Sequence, residues 1–503
     1  MSLRLNVVAN LSSQLYSSIV AIIIVPFYVK SMGAEAYGLV GFFSMLQVWF
    51  GVLDLGLTPT IARETSRFFG GALSFKDYRI LFRSLTVIFV GVALVGGGVM
   101  LMLAPLISDG WLQVRELPTS DVVVSVQIMA VTVAMRWMGG LYRGVITGSE
   151  RLVWLSGFNG VVATLRFVVV LVAMAIWGFE PVVFFIYQLV VAAIELGVLG
   201  WMALRLITIP EMKGKGGQWS FVSIKPLLRF SLTIAFTSSI WVFVTQTDKL
   251  ILSGVLSLSE YAYFTLAVLV ASGITIVTGP LSSALLPRLA RLHAEGNGAE
   301  ISKLYNRFAQ LVSVVAVSLM VTMAGCSEAL LYAWTGDREI SIAATPILRL
   351  YALGNGLLAL SSFPFYLQYA RGSLRWHLIG SVLLLVLLIP TTVMAAVKVG
   401  AVGSGYVWFT INALYLFGWV AYVHSKIEPG LHKNWIVNNV LIIMLPTGIV
   451  GVVLTMMFPS FQYHRGIAFV EVAIFSTFCL STAVLCSSEA RRLMISLVRR
   501  RLV

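Results

Sequence analysis

Charge is what this chain has least of. Charged side chains make up 11% of its 503 residues, where a soluble domain carries about 25%. That shortage excludes an ordinary water-soluble protein. With 59% hydrophobic residues and a mean hydropathy of +0.93, the composition is that of a polytopic membrane protein. Acidic residues are scarcer than basic ones, 21 against 35. The net charge of +14 would suggest nucleic acid in a soluble chain; here membrane topology explains most of it, and no nucleic-acid partner is expected. Three cysteines (Cys326, Cys479, Cys486) lie in apolar stretches and read as packing residues, not a disulfide framework. Five histidines (His293, His377, His424, His432, His464) fall in or near loops without metal-ligand spacing and read as interfacial. No metal or other cofactor is expected. The absence of a Walker motif excludes ATP hydrolysis. Long loops are lacking too, so no connection holds a folded soluble domain. The longest, about Arg205 to Pro226, contains the flexible basic run Lys213-Gly214-Lys215-Gly216-Gly217. Met1 to Asn10 is short and polar, and no small-residue cleavage site follows, so the first span is expected to be retained.

What the chain has in abundance is apolar stretches of membrane-crossing length. Fourteen are legible, at about 12–29, 36–58, 84–107, 121–142, 152–177, 181–203, 229–252, 260–284, 307–333, 342–367, 375–397, 400–423, 435–457 and 466–486. Trp111, Trp177, Trp219, Trp334, Trp376 and Trp435 stand near their ends, as interfacial anchors do. Threaded as hairpins from a cytoplasmic N-terminus, the cytoplasmic connections collect 26 Lys and Arg and the outer ones 5 (Lys30, Arg115, Arg338, Lys398, Arg465). Four more, Arg136, Arg166, Lys249 and Arg349, fall inside spans. Cytoplasmic loops carry the excess of Lys and Arg. The split therefore predicts both termini in the cytoplasm, with basic loops against anionic headgroups.

The chain also repeats itself. Pro59-Thr60-Ile61-Ala62-Arg63 closes the second span, and Pro287-Arg288-Leu289-Ala290-Arg291 closes the eighth, 228 residues later. Ala36-Tyr37 and Ala262-Tyr263 stand near the starts of the same two spans. This predicts an all-α protein of two six-helix lobes, 1–215 and 216–428, followed by a helix pair and a basic tail over 429–503. Such parallel repeats are typical of transporters.

The opening residues carry a family likeness. Asn10 and Gln14 in the first span, Pro26, Gly33-Ala34-Glu35-Ala36-Tyr37-Gly38, Asp54-Leu55-Gly56-Leu57 and Ala62-Arg63-Glu64 follow one another in a characteristic order. Over roughly the first 70 residues the chain resembles the Wzx-type polysaccharide and O-antigen flippases of the MOP exporter superfamily; beyond that it agrees in span number and loop length. The resemblance implies two lobes around a central cavity opening alternately to each side of a bacterial inner membrane. It implies a cargo of undecaprenyl-diphosphate-linked oligosaccharide, moved to the periplasmic leaflet for surface polysaccharide synthesis. It also implies a counter-ion, H⁺ or Na⁺, and polymerase and chain-length proteins as pathway partners.

An ionised group at the centre of a span costs about 2.5–3.5 kcal/mol on insertion scales, so such residues are the candidates for function. Arg136 and Arg143 lie seven residues apart on one face of the fourth span. Arg166 is in the fifth span, Lys249 in the seventh and Arg349 in the tenth. Guanidinium groups suit a diphosphate, because they donate paired, charge-assisted hydrogen bonds. These five are the expected substrate-binding residues, although Arg143 also fits the positive-inside rule and Arg349 could snorkel outward. Glu195 in the sixth span is either a proton-carrying carboxylate or a counter-ion to Arg136 or Arg166. Asp248 is either an ion-coupling carboxylate or half of an interfacial pair with Lys249, and Asp54 ties a helix end to a nearby base. Gln14, Gln127, Asn159, Gln188, Gln246, Asn355 and Asn412 add polar groups that bridge helices or meet sugar hydroxyls. Gly140, Gly144 and Gly148 share one face of the fourth helix and predict close packing or a bend. Pro26, Pro280, Pro364 and Pro390 are potential kinks.

Two other functions fit less well. A drug or cation antiporter of the same superfamily would favour a carboxylate-rich cavity. A membrane glycosyltransferase or O-antigen polymerase would need acidic residues gathered in sizeable outer loops, whereas Glu35, Asp109, Glu116, Glu180, Glu260, Asp337 and Glu339 are scattered over short ones.

Overall fold

The computed structural model describes residues 3–207, 225–283, 285–458 and 464–501. The linker expected at 213–217 and Trp219 lie outside them. Every regular element among the described residues is a helix, apart from one isolated bridge between Gln113 and Ser257. Hydrocarbon offers no partner for a backbone N–H or C=O, so a spanning segment must satisfy its own bonds, as a helix does. Twelve helices among the described residues are long and apolar enough to cross a membrane. One of them, Arg375–Ile427, is 53 residues long, about 80 Å at 1.5 Å per residue, far more than the roughly 30 Å of a hydrocarbon core. Gly400 breaks its helical geometry with φ 66° and ψ −144°. The spans expected at 375–397 and 400–423 both fall within it. The span expected at 229–252 falls on the helix Lys225–Val255, much of which lies outside the described side chains.

Packing divides the chain into two compact units, Met1–Ala262 and Tyr263–Val503. The first holds α1 (Leu3–Met32), α2 (Ala34–Gly51), α3 (Leu57–Phe69), α4 (Phe75–Leu106), α5 (Thr119–Gly148), α6 (Leu152–Thr164), α7 (Val170–Trp177), α8 (Pro181–Ile207) and α9 (Lys225–Val255). A π-helical turn, Leu165–Val169, joins α6 to α7. Packing counts α9 with the first unit because it rests on α2 and α3, whereas the sequence repeat assigns it to the second half. The boundary between units falls within α10 (Leu258–Ser283). The second unit continues through α11 (Leu286–Ala294), α12 (Gly298–Gly325), α13 (Ser327–Thr335), α14 (Arg338–Ser361), α15 (Phe363–Ala370), α16 (Arg375–Leu414), α17 (Val420–Ile427), α18 (Leu431–Trp435), α19 (Ile442–Met457), α20 (Arg465–Cys486) and α21 (Ser488–Arg501).

The repeated Pro-x-(Ile/Leu)-Ala-Arg segments form separate amphipathic helices, α3 and α11, rather than loop entrances. In α3 the buried side is Leu57, Thr60, Ile61, Glu64 and Thr65, and Arg63 and Arg67 are exposed. Leu55 and Gly56 both adopt left-handed conformations at the elbow between α2 and α3, which explains the Asp-Leu-Gly-Leu run. The repeat extends to packing, since α3 lies on α5 and α11 on α15.

The three glycines of α5 serve this contact. A Cβ on Gly144 would stand 2.3 Å from Ile61 Cγ2 and 2.8 Å from the Thr58 carbonyl oxygen, and one on Gly148 would stand 2.2 Å from the Ala62 carbonyl oxygen. They are there for close approach, not a bend. Pro364 does not kink a continuous helix: α14 ends at Ser361, and Pro364 lies in the first turn of α15. Cys326 and Cys479 are buried and free, as read. His424 corrects the reading of interfacial histidines. Its exposure is 0%, and its Nε2 meets Tyr305 Oη at 2.8 Å while its Nδ1 meets His432 Nδ1 at 3.1 Å.

Gly144→Val is expected to lower stability by about 2–3 kcal/mol through overpacking. Gly197→Ala in α8, where a Cβ meets nothing within 4 Å, should leave stability unchanged or raise it. Thermal unfolding of the two purified variants in detergent checks the contrast.

Candidate functional site

The charged residues expected at several depths of spans four, five and six converge on one site in the first unit. It is built mainly on α5 and α8. Arg136 Nη2 donates to Gln188 Oε1 at 2.6 Å, and Arg143 Nη2 pairs with Glu195 Oε1. Each partner lies 52 residues beyond its arginine. Both arginines and both partners are seven residues apart, two helical turns, so each set shares one face. The two rungs therefore join helices running in the same direction.

Arg166 comes from the π-helical turn and pairs with the other oxygen, Glu195 Oε2. Such turns are rare and concentrate at functional sites. Gln188 Nε2 donates to the Arg166 carbonyl at 2.8 Å, so one amide holds the first guanidinium and the backbone of the other. Arg136 Nη1 donates to Gln47 Oε1 of α2 at 2.6 Å, and its guanidinium lies 5.1 Å from the centroid of Phe43. Arg143 Nη1 donates to Asn159 Oδ1 of α6 at 2.5 Å. Glu195 is thus the counter-ion of Arg143 and Arg166, whereas Arg136 is held by neutral amides.

A cavity of about 320 Å³ opens against this cluster, lined among others by Gln47, Asp54, Thr58, Arg136, Trp137, Arg143, Arg166 and Glu195. Three guanidinium groups face two carboxylates there. The Nε atoms of Arg136 and Arg166 and the Nε1 of Trp137 are buried without a hydrogen-bond partner. Buried donors are rarely left so. Asp54 accepts from Thr58 Oγ1 at 2.6 Å and from Thr58 N at 3.2 Å. It fixes the first turn of α3 through Thr58 rather than through a base.

The remaining expected residues stand elsewhere. Lys249 Nζ lies 3.8 Å from Asp248 Oδ1 and donates to the Thr245 carbonyl at 2.7 Å; neither residue lines the cavity. Arg349 belongs to the second unit, is exposed, and donates from Nε to the Ala324 carbonyl at 3.1 Å. Among the amides, Asn159 and Gln188 bridge to arginines, and Asn355 accepts from Trp408 Nε1 at 3.0 Å. Gln47 was missed in the sequence. Its signal is an amide midway along the second span, seven residues before Asp54. The 228-residue spacing also carries Arg143-Gly144 onto Arg371-Gly372. Arg371 Nη2 donates to Glu428 Oε2 at 3.0 Å, so an Arg–Glu pair recurs in the second unit.

A second cluster in the first unit gives the Gly33–Gly38 run its purpose. Glu35, 3% exposed, accepts from the backbone N–H groups of Arg115, Glu116 and Leu117 at 2.6, 2.7 and 3.0 Å. It thereby fixes the loop before α5. That loop meets the α9–α10 turn. Leu258 N donates to the Gln113 carbonyl at 3.1 Å, and Trp111 Nε1 donates to Ser253 Oγ at 2.9 Å. Gly38 admits the Leu258 carbonyl oxygen 2.3 Å from where a Cβ would stand.

Comparison with known proteins places the chain. The family model described as polysaccharide biosynthesis protein matches residues 3–293. The chain belongs to that family. A putative O-antigen transporter of Shigella flexneri is 21% identical over 385 residues, 74% of this chain and 86% of the relative. In fold, this member of the family is similar to the lipid II flippase MurJ in an inward closed conformation, with a TM-score of 0.70 at 12% identity over 96% of this chain and 98% of that one. It is also similar to an inward-facing multidrug resistance MATE transporter of the MOP superfamily, with a TM-score of 0.64 at 13% identity over 85% and 99% of the two chains. This family member is therefore a multi-pass membrane protein with the MOP transporter fold.

Glu195→Gln would leave Arg143 and Arg166 facing each other without their anion, at a cost of about 3 kcal/mol. The expected result is a lower thermal midpoint in detergent, partly restored in the Arg143→Gln/Glu195→Gln double variant. A double variant no more stable than the single one would show that Arg143 does not depend on that carboxylate.

Proposed function

We propose that this chain is a flippase that carries an undecaprenyl-diphosphate-linked oligosaccharide from the cytoplasmic to the periplasmic leaflet by alternating access. The observation that carries the reading is the convergence of Arg136, Arg143 and Arg166 on one cavity within the membrane-spanning helices of a polysaccharide biosynthesis family member. A glycan hydroxyl stripped of water costs several kcal/mol unless it finds a partner. The lipid tail needs no such help and remains in the bilayer. The diphosphate takes the guanidinium donors, with Arg136 held ready by Gln47 and Gln188. The names of the Shigella relative and of MurJ, an O-antigen transporter and a lipid II flippase, agree with a lipid-linked glycan cargo.

With the cytoplasm at negative potential, outward movement of an anion is favoured by about 2.3 kcal/mol per charge per 100 mV. Glu195 acts as a counter-ion, so the diphosphate competes with it for Arg143 and Arg166. That competition keeps binding reversible, which a carrier requires. Asp248 is a further carboxylate for coupling to H⁺ or Na⁺. The guanidinium-rich cavity disfavours the antiporter reading, which calls for carboxylates. The polymerase reading lacks support as well, since Glu35, an acidic residue of the outer side, is committed to three backbone N–H groups.

In this scheme both termini and the basic loops face the cytoplasm, as the distribution of Lys and Arg argues. The contact of residues 111–117 with 253–258 then closes the outer end. It joins segments that the sequence repeat assigns to different halves, and it opens to release the cargo.

Deleting the gene in its bacterial host should trap the undecaprenyl-diphosphate-linked oligosaccharide, still unpolymerised, at the cytoplasmic face, with surface polysaccharide lost. Unpolymerised single repeat units in the periplasm would instead mean a polymerase, and altered drug tolerance with normal surface polysaccharide an antiporter. Arg136→Gln with Arg166→Gln, at normal abundance in the membrane, should reproduce the deletion; intact transport would sink the cationic-cavity reading. A disulfide between Gln113→Cys and Ser257→Cys should block transport until reduced, whereas transport through the oxidised protein would show that the outer contact need not open.

A further inference from the structure

The last helix of the chain is poised to lie on a charged lipid surface. α20 has 22 residues, about 33 Å at 1.5 Å per residue, just enough to cross a hydrocarbon core of roughly 30 Å. It ends at Cys486. Ser487 takes an extended conformation, φ −90° and ψ 120°, and α21 begins at the next residue. The start of α21 is therefore at the membrane boundary.

Its first turn is clamped to the second unit. Gln310 Oε1 of α12 accepts from Ser487 Oγ at 3.0 Å, Ser488 Oγ at 3.2 Å and Glu489 N at 3.1 Å. Arg307 Nε lies 3.4 Å from Glu489 Oε2. Ala490, 8% exposed, is buried against the protein. Beyond it Leu493 is half-buried and the other described side chains are exposed. Arg491, Arg492 and Ser496 are exposed, as are Met494 and Ile495 at 54% and 56%. The helix sequence carries five arginines (Arg491, Arg492, Arg499, Arg500, Arg501) against one acid, Glu489.

Exposed Met and Ile beside arginines, at the end of a spanning helix, fit neither free water nor the bilayer interior. They fit the interface, where apolar side chains enter the acyl boundary and guanidinium groups reach the headgroups. We infer that α21 is an interfacial helix whose ligand is the anionic phospholipid of the leaflet beside it. Anionic headgroups meet Arg491 and Arg492, and the clamp at Gln310 holds the helix at the level where they lie. This inference needs no lipid-linked cargo and stands apart from the transport reading.

The test uses the full chain in vesicles. A polarity-sensitive fluorophore is attached through Ile495→Cys, and its quenching by the neutral solute acrylamide is compared in two bilayers. One is pure phosphatidylcholine, the other one-third phosphatidylglycerol. Quenching should be several-fold weaker with phosphatidylglycerol, and the difference should vanish in molar salt and in the variant R491Q/R492Q/R499Q. Equal, strong quenching in both bilayers would overturn the proposal by placing the helix in water. Equal protection in both bilayers and in the arginine variant would also overturn it, by showing that protein covers the helix. Transport assays on the variant report separately on the cargo reading.

Discussion

Glu195 lies between Arg143 and Arg166 inside a chain that spans a membrane, and the first unit is arranged around the cost of that placement. An unpaired charge in hydrocarbon costs several kcal/mol. Three arginines in one cavity are tolerable because each has a dedicated acceptor, carboxylate for two and amide for the third. The pairing in turn demands that α5, α6 and α8 hold a fixed register. That register is supplied by apolar packing of α5 on α8 and by the glycine face that lets α3 lie close to α5.

The same economy separates what binds from what builds. Asp54, Glu35 and Glu64 are acidic residues in or next to membrane-spanning helices. Asp54 fixes the start of α3 through Thr58, Glu35 fixes a loop through three N–H groups, and Glu64 pairs with Arg67. Each has a structural task. Glu195 instead divides its two oxygens between cations that come from different helices and line a cavity.

The opening motif has a physical meaning in the folded chain. Gly33 to Gly38 places Glu35 under the loop before α5 and lets the Leu258 carbonyl approach, while Asp54 to Leu57 turns the chain through two left-handed residues into α3. They set the two ends of α2, and α2 carries Gln47 to Arg136.

The sequence by itself determined the class of the protein, the position of most spans, the repeat and the identity of the buried charges. Hydrophobic length, the cost of intramembrane charge and the bias of Lys and Arg are properties of composition along a line, and a line can be read. It named Arg136, Arg143, Arg166 and Glu195, and even the amides Asn159 and Gln188. It could not show that these six meet, nor that Lys249 and Arg349 stand away from them. Partners separated by 16, 29 or 52 residues are chosen by helix packing, and packing depends on the steric fit of side chains on neighbouring helices. Gln47 was overlooked for the same reason: alone it is one polar residue in an apolar span, and only the tertiary structure puts a guanidinium against it. The amphipathic helices α3 and α11 were read as loops because their basic faces mark the cytoplasmic boundary. Their apolar faces acquire meaning only when α5 and α15 lie beneath them.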